Sequence, residues 1–293
     1  MNAVRRLGGF RLWSLIPFLA IVVLFGVYPF ARVVQMSFGH VSVRGGGMAF
    51  QFRGLENFQR ALGDALFRHS LLITVIFVVA TTVLSVVLGA ALAILTDRAT
   101  KLQNLARNVL IWPAIISPVV VSVLWVLILN PQIGVLNQVL GFAGLPEQGW
   151  LGDGTGALAA IIGVDVGHWS PIVYLLTYSA LKAIDPEILE ASEVDGANTW
   201  QSVRYVVVPL LVPALTAAAV VRVVMGVKVF DEMYLLTHGG PGTSTTIISL
   251  LIRGIVFDDI DLGYGSAVSL LTIAFIALVA VFVVVTRSTV RRL

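Results

Sequence analysis

Ionisable side chains inside apolar runs are the first residues in this sequence whose types and spacing could do chemistry. Asp165 lies well inside the run 157–181, with His168 and Trp169 one turn on. Arg222 lies about midway along the run 206–236, followed by Met225, Gly226, Lys228, Asp231 and Glu232. Charges in such surroundings are costly and face a cavity or a partner. A carboxylate and a guanidinium hydrogen-bond hydroxyl groups, and an indole face stacks on a flat apolar ring face. Asp165, His168, Trp169, Arg222, Met225 and Gly226 are therefore read as lining a polar, partly aromatic cavity. A second reading, compatible with the first, makes Asp165 and Arg222 a structural ion pair between neighbouring helices. The charge complement leaves room for a phosphate or a zwitterionic group on a bound solute. Lys228 is spaced to pair with Asp231 at i+3 or Glu232 at i+4. That trio lies nearer the end of its run and reads as a gate, an external contact or a local salt-bridge cluster.

The elements that must position these groups are membrane helices. The chain has 293 residues, of which 58% are hydrophobic and only 12% charged. Its mean hydropathy is +0.95. An ordinary soluble domain carries about 25% charged residues, so the bilayer is the solvent that fits. Spanning helices need about 20 mostly apolar residues. Six runs qualify, at about 12–35, 69–95, 108–129, 157–181, 206–236 and 264–286. The first follows Arg5, Arg6 and Arg11 but has no small-residue cleavage site, so it reads as an uncleaved span. Pro17 and Pro29 should kink it. Arg32, near its far end, reads as snorkelling to the interface.

Lys and Arg set the orientation. With the termini inside, interior segments hold Arg5, Arg6, Arg11, Arg98, Lys101, Arg107, Lys182, Arg204, Arg287, Arg291 and Arg292. Exterior segments hold Arg44, Arg53, Arg60, Arg68 and Arg253. This excess predicts cytoplasmic termini. The whole chain, 1–293, reads as one all-α transmembrane domain.

The interior loop 182–205 has helix signals of its own. Asp185 is a good N-cap, Pro186 suits the first helical position, and Glu187 complements the helix dipole. A helix should run from Pro186 to about Asp195 and stop at Gly196 in a left-handed conformation. Asn198 or Thr199 can cap a second helix that continues into the fifth span. Such a protrusion suits a cleft in a soluble partner; it also suits a plain solvated connector.

The segment Glu190-Ala191-Ser192-Glu193-Val194-Asp195-Gly196-Ala197, with Pro209 and Pro213 beyond it, resembles the EAA loop of binding-protein-dependent ABC importer permeases. Ser192 stands where that pattern has a second Ala, a small-for-small change. Gly54-Leu55-Glu56-Asn57-Phe58, Gly134-Val135-Leu136-Asn137, and Phe230-Asp231 with Leu236-Thr237-His238-Gly239-Gly240-Pro241 are similar to segments of the carbohydrate-importer branch. That branch is the maltose, trehalose and glycerol-phosphate type. The resemblance implies the type I ABC importer permease fold, with six transmembrane helices and a cytoplasmic coupling-helix loop, in the cell inner membrane. It implies a permease pair that forms a path for a sugar or polyol. Its partners would be two ATP-binding subunits, a second related permease and an extracytoplasmic solute-binding protein. Glu190, Ala191, Ser192, Asp195 and Gly196 would couple to the ATPase. Lys228, Asp231 and Glu232 would gate the path or touch the binding protein. The segment 243–260 would be an amphipathic helix at the outer surface, after a flexible turn at 238–242.

Several function classes fall away on residue types. A Walker A loop needs a glycine before its lysine; none of Lys101, Lys182 and Lys228 has one. ATP and Mg are thus expected in partner subunits, with no cofactor or metal in this chain. The four histidines form no H-E-x-x-H, and there is no G-x-S-x-G elbow and no cysteine. A net charge of +3, scattered along the chain, does not suggest nucleic acid. The first rival is an ion-gradient-driven secondary transporter using Asp165, His168 and Arg222 as a proton relay. Six spans are few for one, and no inverted repeat is visible. The second rival, an intramembrane enzyme or scaffold, has no motif to support it.

Overall fold

A chain segment in lipid must satisfy its own backbone, and these apolar runs do so as helices. The computed structural model describes residues 15–44, 47–98 and 103–290. The expected start of the first span at residue 12, and Arg5, Arg6, Arg11, Lys101, Arg291 and Arg292, lie outside the described residues. The first helices are α1 (Leu15–Ser37), α2 (Glu56–Gly63), α3 (Ala65–Arg98), α4 (Gln103–Ile115), α5 (Pro118–Ile128) and α6 (Val135–Phe142). There follow α7 (Gly154–Leu181), α8 (Pro186–Val194), α9 (Thr199–Val227), α10 (Asp231–Thr237), α11 (Ile248–Arg253) and α12 (Leu262–Val290). Five helices are long and apolar enough to cross a membrane, or six if the bent pair α4–α5 counts as one span.

Proline explains the departures from straight helices. Two turns of π-helix, Val23–Val27 and Val203–Val207, each end two residues before a proline, Pro29 and Pro209. A proline ring collides with the carbonyl four residues back in an α-helix, and the wider turn relieves that collision. The kink expected at Pro29 is thus taken up as a π turn. The third span is not the single rod expected at 108–129. Its halves meet at 101°. Ser117, before Pro118, is extended at φ −59°, ψ 138°, as the residue before a proline prefers.

The fifth span also differs. It starts earlier than expected, at Thr199, and stops at Val227 rather than continuing to 236. Lys228 caps it, and the chain leaves helical geometry at Phe230 before α10 begins. Arg222 consequently lies within two turns of the helix end.

Contacts divide the chain into two compact units. In the unit Met1–Arg68 with Leu251–Leu293, α12 packs on α1, α2 and strand β1 (Gly39–Arg44). That strand pairs antiparallel with β2 (Gly47–Phe52). In the unit His69–Leu250, the core joins Phe77 and Val78 of α3, Val121 of α5, Ile161 and Val164 of α7, and Met233 of α10. Gly89 lets α3 approach α7 closely, since a Cβ there would sit 2.7 Å from the Val173 side chain.

Candidate functional site

The unit His69–Leu250 gathers five of the residues singled out by type into one buried cluster. Asp165 of α7 pairs with Nη2 of Arg222 of α9, and the two are 1% and 0% exposed. One turn along α7, the His168 ring stacks on Trp169 with centroids 4.3 Å apart. His168 Nε2 lies 3.2 Å from the Ile116 carbonyl, which belongs to the break between α4 and α5. His168 Nδ1 faces Glu232 Oε1 at 3.6 Å, and Trp169 Nε1 donates to the same oxygen at 3.4 Å. The cluster therefore ties the broken third span, α7, α9 and α10 together. Among the described residues, the buried Nε and Nη1 of Arg222 have no partner, so two strong donors stay open to an acceptor.

Sequence reasoning missed two features of this arrangement. Helical spacing groups Glu232 with Lys228 and Asp231, but the break at 228–230 removes the i+3 and i+4 geometry. Among the described residues Lys228 pairs with neither acid, and Glu232 turns inward, 3% exposed. The break at Ser117–Pro118 was the other, and the X-Pro step was its available signal. Gly226 is buried against Val78 and Thr81 of α3, while Met225 is half-buried. An open apolar groove between α3 and α7, lined among others by Ala80, Leu84, Ala91 and Gly163, contains none of the charged residues.

The corner at 185–202 forms as its local signals require. Asp185 Oδ1 accepts from the Glu187 amide at 3.0 Å and starts α8. Gly196 adopts φ +81°, where a side chain would be strained. The Ala197 amide donates to the Ser192 carbonyl and the Gly196 amide to that of Glu193, each at 3.0 Å, closing the helix end. Asn198 and Gln201 then form a reciprocal capping box that opens α9. Leu189 packs against Leu181, Val207 and Leu211, which holds one face of α8 on the bundle. The opposite face is free: Ile188 is 43% and Val194 88% exposed. Ser192, expected to be a passive replacement for Ala, donates to the Leu189 carbonyl and shares a hydrogen bond with Ser202 at 3.1 Å. At the root of the corner Lys182 pairs with Asp97 at 2.5 Å. That hydrogen bond holds the Lys182 ammonium above its ordinary value.

The three motifs in the loops at the other ends of the spans fasten those loops. Asn57 donates to the carbonyls of Ser37 and Gly39, and Phe58 lies against Phe38. Asn137 donates to Pro131 and Gln148 carbonyls and accepts from Trp150 Nε1. Gly134 has no room for a Cβ against the carbonyls of Asn130 and Ile128. The turn at 238–242, read as flexible, is braced by the hydroxyls of Thr237, Thr245 and Thr246. These bonds hold the chain in a turn until Ile248, so the amphipathic helix expected from Thr243 is shorter, α11 followed by a π turn at Gly254–Asp258.

A bundle of apolar helices, a buried ionic cluster and one short helix presented outside the bundle define a multi-pass membrane permease. Residues 85–293 match the family described as "binding-protein-dependent transport system inner membrane component". The chain belongs to that family and is a permease of the ABC importer class, not a gradient-driven carrier. It is 33% identical to the trehalose/maltose transport system permease protein MalF of Thermococcus litoralis, over 77% of this chain and 76% of that one. It is 30% identical to the sn-glycerol-3-phosphate transport system permease protein UgpA of Brucella abortus, over 92% of this chain and 91% of that one. Its fold matches a chain of a bacterial alginate ABC transporter crystallised with a periplasmic protein that holds an alginate pentasaccharide. The TM-score is 0.82 at 21% identity, over 96% of this chain and 94% of that one.

Proposed function

We propose that this chain, with a second related permease, forms the path by which an ATP-driven importer takes up a sugar or related polyol. The single observation that carries the coupling half of this reading is the corner at 185–202. It presents a capped helix whose inner face is fixed on the bundle and whose outer face is free. One of two ATP-binding subunits would receive Glu190, Ala191, Ser192, Asp195 and Gly196 in its cleft, and the other would receive the second permease. ATP and Mg would act there, and this chain would be non-catalytic. The family description supports a solute-binding protein as the outer partner. The excess of Lys and Arg in alternate loops supports a place in the cytoplasmic membrane with both termini inside.

The solute path would pass the cluster of Asp165, His168, Trp169 and Arg222, with Met225 and Gly226 on the same stretch of α9. The two unpartnered Arg222 donors suit hydroxyl acceptors, and the permeases named above support the carbohydrate class. Lys228, Asp231 and Glu232 would belong to its outer closure. The test is to purify the complex with its neighbouring gene products and measure ATP hydrolysis. Glu190→Ala should abolish binding-protein-stimulated hydrolysis with membrane insertion intact; normal stimulation would remove the docking role.

A further inference from the structure

We propose that the break between α4 and α5 is a water-lined wall of the solute path, with Trp112 as the ring-stacking residue beside it. The inference rests on the importer reading above. The break sits at mid-membrane depth. His168, whose Nε2 lies 3.2 Å from the Ile116 carbonyl, is 14 residues after the start of α7 at Gly154 and 13 before its end at Leu181. The chain at the break leaves polar backbone open. Among the described residues the Ser117 amide has no acceptor, and the Ser117 side chain does not cap α5. The helical partner of the Ala114 carbonyl would be the amide of residue 118, which is a proline and has none.

This chain does not cover the gap. Trp112 is 69% and Ile115 75% exposed, three residues apart on one face of α4, and Ser117 is exposed beside them. Leu110 packs on Ala93, Tyr174 and Tyr178, and Trp112, about 200° further round the helix, points away from them. Irregular backbone at this depth is tolerated only where protein buries it or where it lines a water-filled cavity. Lipid is therefore excluded as its neighbour. The indole argues for water, since hydrocarbon offers its N–H no acceptor.

Continuity with the buried cluster favours the path over a dry contact with a second permease. His168 meets the Ile116 carbonyl from the bundle side, and one turn from it Asp165 holds Arg222, which keeps Nε and Nη1 open. The break is the exposed end of one polar strip that begins at Arg222. A hydroxyl-rich ring suits that end: the indole face takes the ring, and the open backbone groups take hydroxyls.

The experiment uses the absence of cysteine from the sequence, so that one substitution gives this chain one thiol. Ser117→Cys, Ile115→Cys and Trp112→Cys are each assembled with the partner subunits in nanodiscs. Each is treated with a charged methanethiosulfonate, which cannot enter lipid, and the mass of this chain reports the label. The thiolate is the reacting form, and apolar surroundings suppress it. Phe142→Cys, at a site 93% exposed on α6, is the control that reacts, and Leu110→Cys is the control that stays unlabelled. All three positions at the break should be labelled. Their rates should change about fivefold or more between the nucleotide-free complex and one hydrolysing ATP with its binding protein, a typical coupling between sites. No label at the break in either state, while Phe142→Cys reacts, would place it against protein or lipid and overturn the proposal. Labelling that ignores nucleotide would make the break a fixed water pocket and overturn its place in the path. A complex whose hydrolysis does not respond to its binding protein would instead sink the importer reading.

Discussion

The corner at 185–202 and the cluster around Asp165 are both rich in acidic residues, yet they are built in opposite ways. In the corner the bonds that start and stop the helices are local: the Asp185 cap reaches two residues, the Asn198–Gln201 box three, and the closing turn at Gly196 five. Its acids are solvated and need no partner. In the cluster Arg222 and Asp165 are 57 positions apart, and Trp169 and Glu232 are 63 apart. Its acids are buried and must be matched. Short-range rules build a surface that a partner can grip, and long-range pairing builds an interior that holds charge.

The largest expected effect is on the long-range side. Arg222→Met leaves Asp165 as an unpaired buried acid, which costs about 3–5 kcal/mol. The melting temperature of the detergent-solubilised complex should fall accordingly. Asp165→Leu combined with Arg222→Met should recover most of the loss, because no lone charge remains. If the double variant is as unstable as the two single losses added, the pairing in this structure is not what holds these helices.

An intermediate effect separates the corner from the cluster. Gly196→Ala forces a side chain into the left-handed region, at a cost of about 1–2 kcal/mol. Because the corner is outside the bundle, the melting temperature should move little. Binding-protein-stimulated ATP hydrolysis should drop, since the direction of α8 depends on that turn. A variant that melts early but keeps full coupling would show that the corner is part of the core after all.

The same division decides what could be read from the sequence. The boundaries of α8, its cap, its Gly196 stop and the Asn198 start of α9 were legible because each depends on neighbours within a few residues. Asp165, His168, Trp169 and Arg222 were legible as types at a depth. Their partners were not: a continuous helix through 228–230 would set Lys228 beside Asp231 or Glu232, and the chain is not helical there. A short break there left no compositional trace beyond Phe230 and Asp231, and it changed which way Glu232 faces. The third span shows the reverse case: Ser117–Pro118 was visible as a restriction, but the 101° bend required knowing that His168 occupies the Ile116 carbonyl exposed there. The loop motifs were legible as patterns, while their hydrogen bonds to backbone carbonyls up to 20 residues away were not.

The Lys182–Asp97 pair lies between the two regions and tests the comparison most finely. It is long-range, as the cluster is, but its side chains are 52% and 28% exposed, as in the corner. If distance along the chain decided strength, its loss would be severe. If exposure decides, it is an ordinary surface pair. Exposed pairs contribute about 0.2–1 kcal/mol and are screened by salt. The second answer is expected. Lys182→Met should lower stability by that small amount, and raising the salt concentration should erase the difference from the native chain. The pH dependence follows from the raised ammonium. Its contribution is fully present below the ordinary lysine range and is lost only as the pH rises above it. It should therefore be constant through neutral pH. A large loss in Lys182→Met, insensitive to salt, would mean that this root contact is buried in the assembled complex.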